Sequence, residues 1–293
     1  MQSPLAAQTG SGGATTPILS VGHSPDPDDA FMVYGLAKGK TVIPGTTIRL
    51  VPQDIETLNR WAFEEHLDVT AMSAHAYARL SDKYALLAQG SSFGDGYGPL
   101  VVARPGTTLR DLGRNARIAI PGELTSAYLA ARLALSDFTP ISLPFDRILA
   151  AVARRDVQAG LIIHEGQLTY AKHGVEKLLD LGAWWKRETG LLLPLGVNAI
   201  RKRLDPYARA ALARAVRESL EYGLTNRKEA IQYAQQFGRG IDAATADRFV
   251  DMYVNAHTRD LREPELRSLQ VFFQRAYDGG YLPRPVALEV VRG

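Results

Sequence analysis

Residues 159 to 165 read Ala159-Gly-Leu-Ile-Ile-His-Glu165, a short apolar run that ends on a histidine. An amphipathic segment, Phe145 to Arg155, comes shortly before it. A run of this kind is typical of a buried strand in an α/β sheet. Because ligands in open α/β sheets bind beyond the carboxyl ends of the strands, we expect His164 to lie at a cleft. An imidazole there can take or give a proton near neutral pH.

The segments around this run alternate between strand-like and helix-like patterns. Further strands are predicted at Pro17–Gly22, Thr47–Val51, Asp68–Met72 and Arg117–Ile120. The segment Leu191–Ile200 is again apolar and could carry the chain back. Helices are predicted between them, and four more from Pro206 onward, at Tyr207–Tyr222, Lys228–Phe237, Ala243–Tyr253 and Pro264–Ala276. Such an alternation indicates βαβ units and a mostly parallel sheet.

The length of 293 residues favours two compact units over one. We predict two α/β lobes with a cleft between them, joined by crossings near Ala103–Gly106 and Pro194–Asn198. The first lobe would comprise residues 17–103 and 195–293, with the C-terminal helices, and the second lobe residues 104–194. Residues 1–16 are expected to form a disordered tail. Two crossings permit the lobes to close over a ligand by hinge motion.

The composition excludes several classes of function. The chain has no Cys, which rules out disulfides, thiolate zinc sites, Fe–S clusters and thiol nucleophiles. A net charge of +3 without a clustered basic run gives no indication of nucleic-acid binding. No stretch approaches the roughly 20 apolar residues of a membrane helix, and residues 1–16 lack the features of a secretion signal. A cytoplasmic protein with no membrane partner is expected.

Small polar residues occur where predicted strands meet helices, at Ser24–Asp29, at Ala71-Met-Ser73 and at Pro121–Tyr128 with Thr125 and Ser126. The first N–H groups of a helix attract carboxylates. The alternative is that these residues only cap their helices. In the acidic segment, Asp28 or Asp29 could be such a cap, and acids there would repel an anionic ligand.

The histidines differ in how well their positions suit a catalytic or metal-binding role. His164 is the candidate for acid–base chemistry, although a strand-end histidine without a task is the alternative. Glu165 follows it, but successive strand side chains point to opposite faces, so a hydrogen bond between the two is not assumed. His23, after the first strand, could also face the cleft. No two histidines have the i, i+4 spacing of a helical zinc site, and a metal is not indicated.

Several segments together resemble 1,4-dihydroxy-6-naphthoate synthase, an enzyme family of the futalosine route to menaquinone. The resemblance covers about Ser20 to Ala276. It rests on Asp54–Trp61, Gly98–Ala103, Gly160–Glu165, Thr169–Tyr170, Asp180–Trp185, Thr189–Gly190 and Tyr253–Ala256.

The resemblance implies a two-lobed periplasmic-binding-protein-like fold of type II. It also implies a lyase that cleaves cyclic dehypoxanthinylfutalosine and releases dihydroxyacetone as the naphthoate ring forms. His164 would be the general base, and no cofactor is implied. The substrate-binding positions, for a small-molecule carboxylate, fall on Ala71, Met72, Ser73, Thr125 and Ser126.

Two features depart from the family pattern. Asp26 and Asp28 stand where the family has Cys and Asn, and Ala71 stands where it has Lys. Two acids are gained and one lysine is lost, so the cleft is more negative. A close uncompensated charge can change binding by about 1 kcal/mol or more. We therefore include Asp26 and Asp28 among the substrate-binding residues, and a protonated His23 could offset part of their charge.

Three alternatives remain open at this stage. Chorismate dehydratase belongs to the same pathway and shares the fold, although His164 and Trp184–Trp185 favour the synthase. A solute-binding protein for a small anion is a second possibility, and the lack of a signal peptide or lipidated Cys weighs against it. The third is a paralogue with a related, less anionic substrate, motivated by Asp26, Asp28 and Ala71. The sequence does not indicate an oligomeric state.

Overall fold

Two separate β-sheets form the framework of the chain in a computed structural model, which describes residues 16–135, 137–164, 166–237 and 242–293. Glu165 and nearly all of the predicted tail at 1–16 lie outside the described residues. The strands are β1 (Ile18–His23), β2 (Thr47–Pro52), β3 (Val69–Ser73), β4 (Tyr84–Leu87), β5 (Ser92–Gly94), β6 (Leu100–Ala103), β7 (Arg117–Ile120), β8 (Thr139–Ser142), β9 (Ala159–Ile162), β10 (Glu176–Asp180), β11 (Leu193–Arg201) and β12 (Val290–Val291).

The helices surround these sheets, and the described residues between Pro206 and Asp278 are mainly helical. They are α1 (Pro27–Met32), α2 (Tyr34–Ala37), α3 (Ile55–Phe63), α4 (Ala74–Leu80), α5 (Ser126–Ala134), α6 (Phe145–Ala153), α7 (Gly166–Thr169), α8 (Leu181–Thr189), α9 (Pro206–Thr225), α10 (Arg227–Gln235), α11 (Ala243–Tyr253), α12 (Ala256–Arg259) and α13 (Glu263–Asp278). Two short 3₁₀ turns lie at Leu109–Asp111 and Tyr170–His173. None of the helices in the described ranges is long and apolar enough to cross a membrane.

The first sheet has the strand order β12-β4-β11-β3-β1-β2, with β5 paired to β11. Strand β1 runs parallel to β2 and β3, as the alternating pattern predicts. Strand β11 is antiparallel to β3, β4 and β5, because it brings the chain back from the second sheet. Its register places Gly196 opposite Ser73 and Val197 opposite Met72, at the edge where β3 ends.

The second sheet has the order β10-β6-β9-β7-β8. The predicted strand at 159–163 is confirmed as β9, which is buried along its whole length and parallel to β7. Gly160 lets α6 lie directly on this strand, since a Cβ there would come within 2.5 Å of an Ile148 methyl group. The short strand β8 was not predicted, because its sequence Thr-Pro-Ile-Ser has no apolar run.

The chain passes between the sheets earlier than expected at both crossings. Leu100–Ala103 already pairs with β9 and β10 in the second sheet, so the first passage lies between β5 and β6. Pro194–Asn198 lies within β11, so the return comes between α8 and β11. The second predicted crossing falls inside β11, and the first begins at Ala103, the last residue of β6. The residue limits of the two lobes remain a prediction.

Candidate functional site

The carboxyl ends of strands from both sheets meet at one cavity of about 110 Å³. Parallel strands β1 and β3 of the first sheet and β7 and β9 of the second lead into it, as expected for ligand sites of α/β sheets. Every predicted site residue lies in its lining, namely Asp26, Asp28, Ala71, Met72, Ser73, Thr125, Ser126 and His164. The structure therefore brings together all eight positions, and their chemical roles stay proposals.

His164 follows β9 and makes direct contact across the cavity with the first lobe. Its Nδ1 lies 2.7 Å from Oδ2 of Asp26, and the side chains of His164 and Asp26 are only 12% and 6% exposed. The ring of Phe145 packs against it edge to face, with the centroids 4.9 Å apart. A carboxylate on one imidazole nitrogen fixes the tautomer and the orientation of the ring. In this structure Asp26 contacts the Nδ1 side of the His164 ring.

The backbone of His164 is itself unusual, with a φ of 60°. A residue with a side chain rarely adopts this left-handed conformation, which costs on the order of 1 kcal/mol. Such conformations are concentrated at functional sites. This conformation turns the chain directly after the apolar run that ends at Ile163. The residue that adopts it is also the one that contacts Asp26.

The acidic segment Ser24–Asp29 folds into a tight turn held by Ser24. The Ser24 hydroxyl donates to Asp26 Oδ2 over 2.9 Å, and the Ser24 N–H donates to Asp29 Oδ2 over 2.9 Å. Asp26 is the N-cap residue of α1, but its side chain makes no hydrogen bond to the first N–H groups of the helix. Asp28 and Asp29 lie in the first helical turn. The alternative that Asp28 or Asp29 caps this helix is therefore wrong.

Burial changes the proton affinities of this turn. The pKa of Asp28 is raised well above its ordinary value, chiefly by burial and then by the neighbouring carboxylates of Asp29 and Asp26. Burial also raises the pKa of Asp29, although its hydrogen bonds from Ser24 act against this. A carboxyl group that keeps its proton adds no negative charge. The turn is therefore less negative than its three carboxyl groups suggest.

His23 does not take the place expected for it. Its Nδ1 lies 2.9 Å from the Ser24 carbonyl oxygen, its ring packs edge-on against Phe237, and it lines a separate small cavity. Burial lowers the pKa of His23, more than the acids Asp29 and Asp26 raise it. A protonated His23 that compensates the acids from within the cleft is therefore a wrong expectation. The sequence could not show which way the ring turns after β1.

Ser73 is held at the start of α4 by a residue that the sequence did not point to. Asn59, fully buried on α3, accepts from the Ser73 N–H over 2.8 Å and donates to the Ser73 hydroxyl oxygen over 3.0 Å. The Asn59 amide thus donates to the Ser73 hydroxyl oxygen, and the hydroxyl proton of Ser73 remains available for another acceptor. Ser73 is therefore placed to donate into the cleft.

The hydroxyl groups of Thr125 and Ser126 are already engaged. Thr125 Oγ1 accepts from the Tyr128 N–H and donates to the Gly122 carbonyl, so the plain capping alternative describes its side chain correctly. The Ser126 hydroxyl donates to the Leu195 carbonyl and accepts from the His75 N–H over 3.3 Å. The backbone N–H groups at the start of α5, at Ser126 and Ala127, have no acceptor one helical turn earlier. They are the groups that an anion in the cleft can meet.

Other lining residues were missed by reasoning from the sequence. They include Gln167 on α7, the β11 residues Leu195 to Val197, and Phe249 and Tyr253 on α11. The Tyr253 hydroxyl donates to Gln167 Oε1 over 3.1 Å, and burial raises its pKa far above the ordinary value. Tyr253 opens one of the segments that carry the family resemblance, which was the available signal. Within the described ranges, no cluster of three or more His, Asp or Glu could hold a metal ion.

The fold and the cleft define a class of protein. Two α/β lobes with strand ends converging on an interlobe cavity form a periplasmic-binding-protein-like fold. The alkanesulfonate-binding protein SsuA of Xanthomonas axonopodis pv. citri, bound to MOPS, has this fold at 17% identity and a TM-score of 0.70, over 96% of this chain and 100% of that one.

Closer relatives give the family. The chain belongs to the menaquinone biosynthesis family, which matches residues 19–278. The 1,4-dihydroxy-6-naphthoate synthase of Thermus thermophilus is 40% identical over 272 residues, covering 92% of this chain and 98% of that protein. The solved structure of protein AF1704 of Archaeoglobus fulgidus is 47% identical, with a TM-score of 0.85, and covers 90% of this chain and 98% of that one.

Proposed function

We propose that the protein is a carbon–carbon lyase that converts cyclic dehypoxanthinylfutalosine to 1,4-dihydroxy-6-naphthoate and dihydroxyacetone. The observation that carries this proposal is the contact of His164 with Asp26 at the floor of a cleft, in a chain 40% identical to a protein named 1,4-dihydroxy-6-naphthoate synthase. A role in biosynthesis favours the cytoplasm as the place of action.

In this mechanism His164 is the general base. Asp26 holds Nδ1, so Nε2 is the atom that takes a proton from an acidic C–H or hydroxyl group of the substrate. The carboxylate of Asp26 then stabilises the imidazolium that forms. The bond to the three-carbon fragment breaks as the new ring becomes aromatic. The imidazolium returns its proton to the departing fragment, so dihydroxyacetone leaves and His164 is again the free base.

The substrate carboxylate is held at the starts of two helices. The N–H groups of Ser126 and Ala127 offer unpaired donors and the positive end of the α5 dipole. The hydroxyl of Ser73, fixed by Asn59, adds a donor from the other lobe. A raised pKa of Asp28 reduces the repulsion that the acidic turn would otherwise exert.

Closure of the lobes belongs to this mechanism. A cavity of about 110 Å³ is smaller than the roughly 300 Å³ at the lower end of pockets for drug-sized ligands. The substrate therefore needs the lobes to separate before it can bind. Contacts that join the lobes, such as those of Ser126 with Leu195 and of His164 with Asp26, would form again on closure and exclude water.

Incubation of the purified protein with cyclic dehypoxanthinylfutalosine tests the proposal. We expect both 1,4-dihydroxy-6-naphthoate and dihydroxyacetone, detected by mass spectrometry in equal amounts. Turnover of chorismate, in a separate incubation, would identify the dehydratase instead. Binding of a small anion without turnover would identify a solute-binding protein. If neither cyclic dehypoxanthinylfutalosine nor chorismate is bound or consumed, the paralogue with a related substrate is favoured.

A further inference from the structure

A second and larger cavity lies on the other side of the helix starts that border the cleft. Its volume is about 410 Å³. Its lining includes Arg60, His75, Arg79, Glu123, Arg132 and Tyr281. We call it the rear pocket. Its wall combines residues of α3 and α4, which flank the first sheet, with residues of α5, which flanks the second.

The charged lining of the rear pocket is mainly positive. Three guanidinium groups face one carboxylate, that of Glu123. Arg60 pairs with Glu56 over 2.9 Å and Arg132 with Asp137 over 3.1 Å, so two of the three charges are partly compensated. Arg79 donates to the His75 ring and to the Tyr281 carbonyl, and no carboxylate pairs with it among the described residues.

Two side chains of this wall, His75 and Arg132, carry buried nitrogen atoms. His75 is only 3% exposed, and its Nε2 accepts from Arg79, so the neutral ring carries its proton on Nδ1. Burial, followed by the charge of Arg79, lowers the pKa of His75 to about 4 and keeps the ring neutral. Hydrogen bonding to the backbone of Thr125 and Glu123 raises this pKa in part, so the His75 ring has acceptors. Arg132 Nε has no hydrogen-bond partner within the described ranges. Buried donors of this kind normally have a partner.

Aromatic rings complete the wall. The guanidinium of Arg132 lies 5.7 Å from the ring centre of Tyr128 and 5.8 Å from that of Tyr281. Guanidinium groups match the two oxygens of carboxylates and phosphates, and flat rings favour a flat ligand beside them.

We infer that the rear pocket binds a small molecule that carries a carboxylate or phosphate group, with Arg79 as its main anchor. This site is distinct from the catalytic cleft, and the inference does not depend on the proposed reaction. A ligand that touches Arg79 on α4 and Arg132 on α5 would join the two lobes from behind. It would thereby favour closure of the cleft, since His75 on the same helix start donates to Ser126.

Calorimetric titration of the full chain with inorganic phosphate and, separately, with 2-naphthoate tests this inference. Arg79→Gln removes the unpaired cation from an exposed position and should leave the fold intact. We expect at least one probe to bind to the wild type, and its affinity to fall about tenfold or more in Arg79→Gln. Arg110→Gln, an equal loss of charge on the surface of the second lobe, should bind as the wild type does.

A further variant separates the two cavities. Ser73→Ala removes a donor of the cleft and should not change rear-pocket affinity. The tighter of the two probes shows whether the ligand is an aromatic carboxylate or a phosphate. If neither probe binds, or if Ser73→Ala weakens binding while Arg79→Gln does not, the inference is overturned. Should Arg79→Gln fail to fold by circular dichroism, Arg60→Gln takes its place, because its side chain is 69% exposed.

Discussion

His164 combines a strained backbone with a buried charge partner, and the two features belong to one function. The left-handed conformation stops the strand so that the imidazole lies at the cleft, and Asp26 then holds it there. The strand end was predictable, because the apolar run of β9 stops at the histidine. The partner was not, because Asp26 is far from His164 in the chain and lies in the other lobe, so only the tertiary structure brings the two together.

Replacement of Asp26 by Asn should impair catalysis more than binding. Without the carboxylate, the tautomer of His164 is no longer fixed and the imidazolium is less stable. We expect kcat to fall roughly 10- to 100-fold while KM changes by less. Steady-state kinetics will show this, with Asp156→Asn, on the surface of the second lobe, as a matched control that keeps wild-type kcat. An unchanged kcat in Asp26→Asn would exclude an orienting role.

Asp28 should make the stability of the protein depend on pH in an unusual direction. Its pKa is raised in the folded state, so its stabilising contribution is complete below about pH 4 and is lost as the pH rises through the raised pKa. We expect Asp28→Asn to match the wild-type Tm near pH 4 and to exceed it by a few degrees at pH 8. Thermal unfolding at both pH values measures this.

The opposite sign is expected for a surface carboxylate. Hydrogen bonds from Thr108 hold the pKa of Asp111 below its usual value, so Asp111→Asn should lower the Tm at pH 8. If Asp28→Asn also lowers it, the carboxyl of Asp28 is ionised and stabilising in the folded protein, and the account of the acidic turn is wrong.

Among the helices and strands, the starts of α4 and α5 supply the hydroxyl and N–H donors of the cleft. Most helices and strands that lead to them were predictable, because their apolar residues recur at helical or strand spacing and Ser or Thr marks the helix start. The antiparallel course of β11 was not predictable, because strand direction depends on pairing with β3 and β4, far away in the chain. The hydrogen bonds of Asn59 to Ser73 were not predictable either, because they depend on how α3 packs against the start of α4.

Removal of the α5 cap should affect both stability and substrate binding. Thr125→Ala loses the acceptor for the Tyr128 N–H, which should lower the free energy of unfolding by about 1 kcal/mol and raise KM. Urea denaturation and kinetics measure the two effects. Asp205→Ala removes the cap of α9, which lies outside the cleft lining, and should cost similar stability with an unchanged KM. Equal KM values for the two variants would show that the start of α5 does not hold the substrate.

At the scale of the whole molecule, the lobes meet in a closed arrangement with a small cavity. The two-lobed fold was predictable from the alternation of elements and the two passages between sheets. The positions of those passages were not, because apolar strands β6 and β11 look alike whichever sheet they join.

The contact of Tyr253 with Gln167 offers a way to weaken the closed state. Tyr253→Phe removes one hydrogen bond of 3.1 Å without changing the packing of the ring. A net loss of about 1 kcal/mol should raise KM several-fold and increase the radius of gyration of the product-bound protein in X-ray scattering. Tyr277→Phe, on the exposed face of α13, is the matched control. An unchanged radius of gyration would show that this hydrogen bond does not stabilise the closed state.

In the proposed mechanism His164 takes the proton that starts the cleavage. The most direct test of this step compares the release of 1,4-dihydroxy-6-naphthoate from cyclic dehypoxanthinylfutalosine by His164→Gln and by His173→Gln, an exposed histidine of the same lobe. We expect a loss of about 10²-fold or more in His164→Gln, with substrate still bound, and wild-type release in His173→Gln. Undiminished release of the naphthoate by a folded His164→Gln protein would contradict this mechanism.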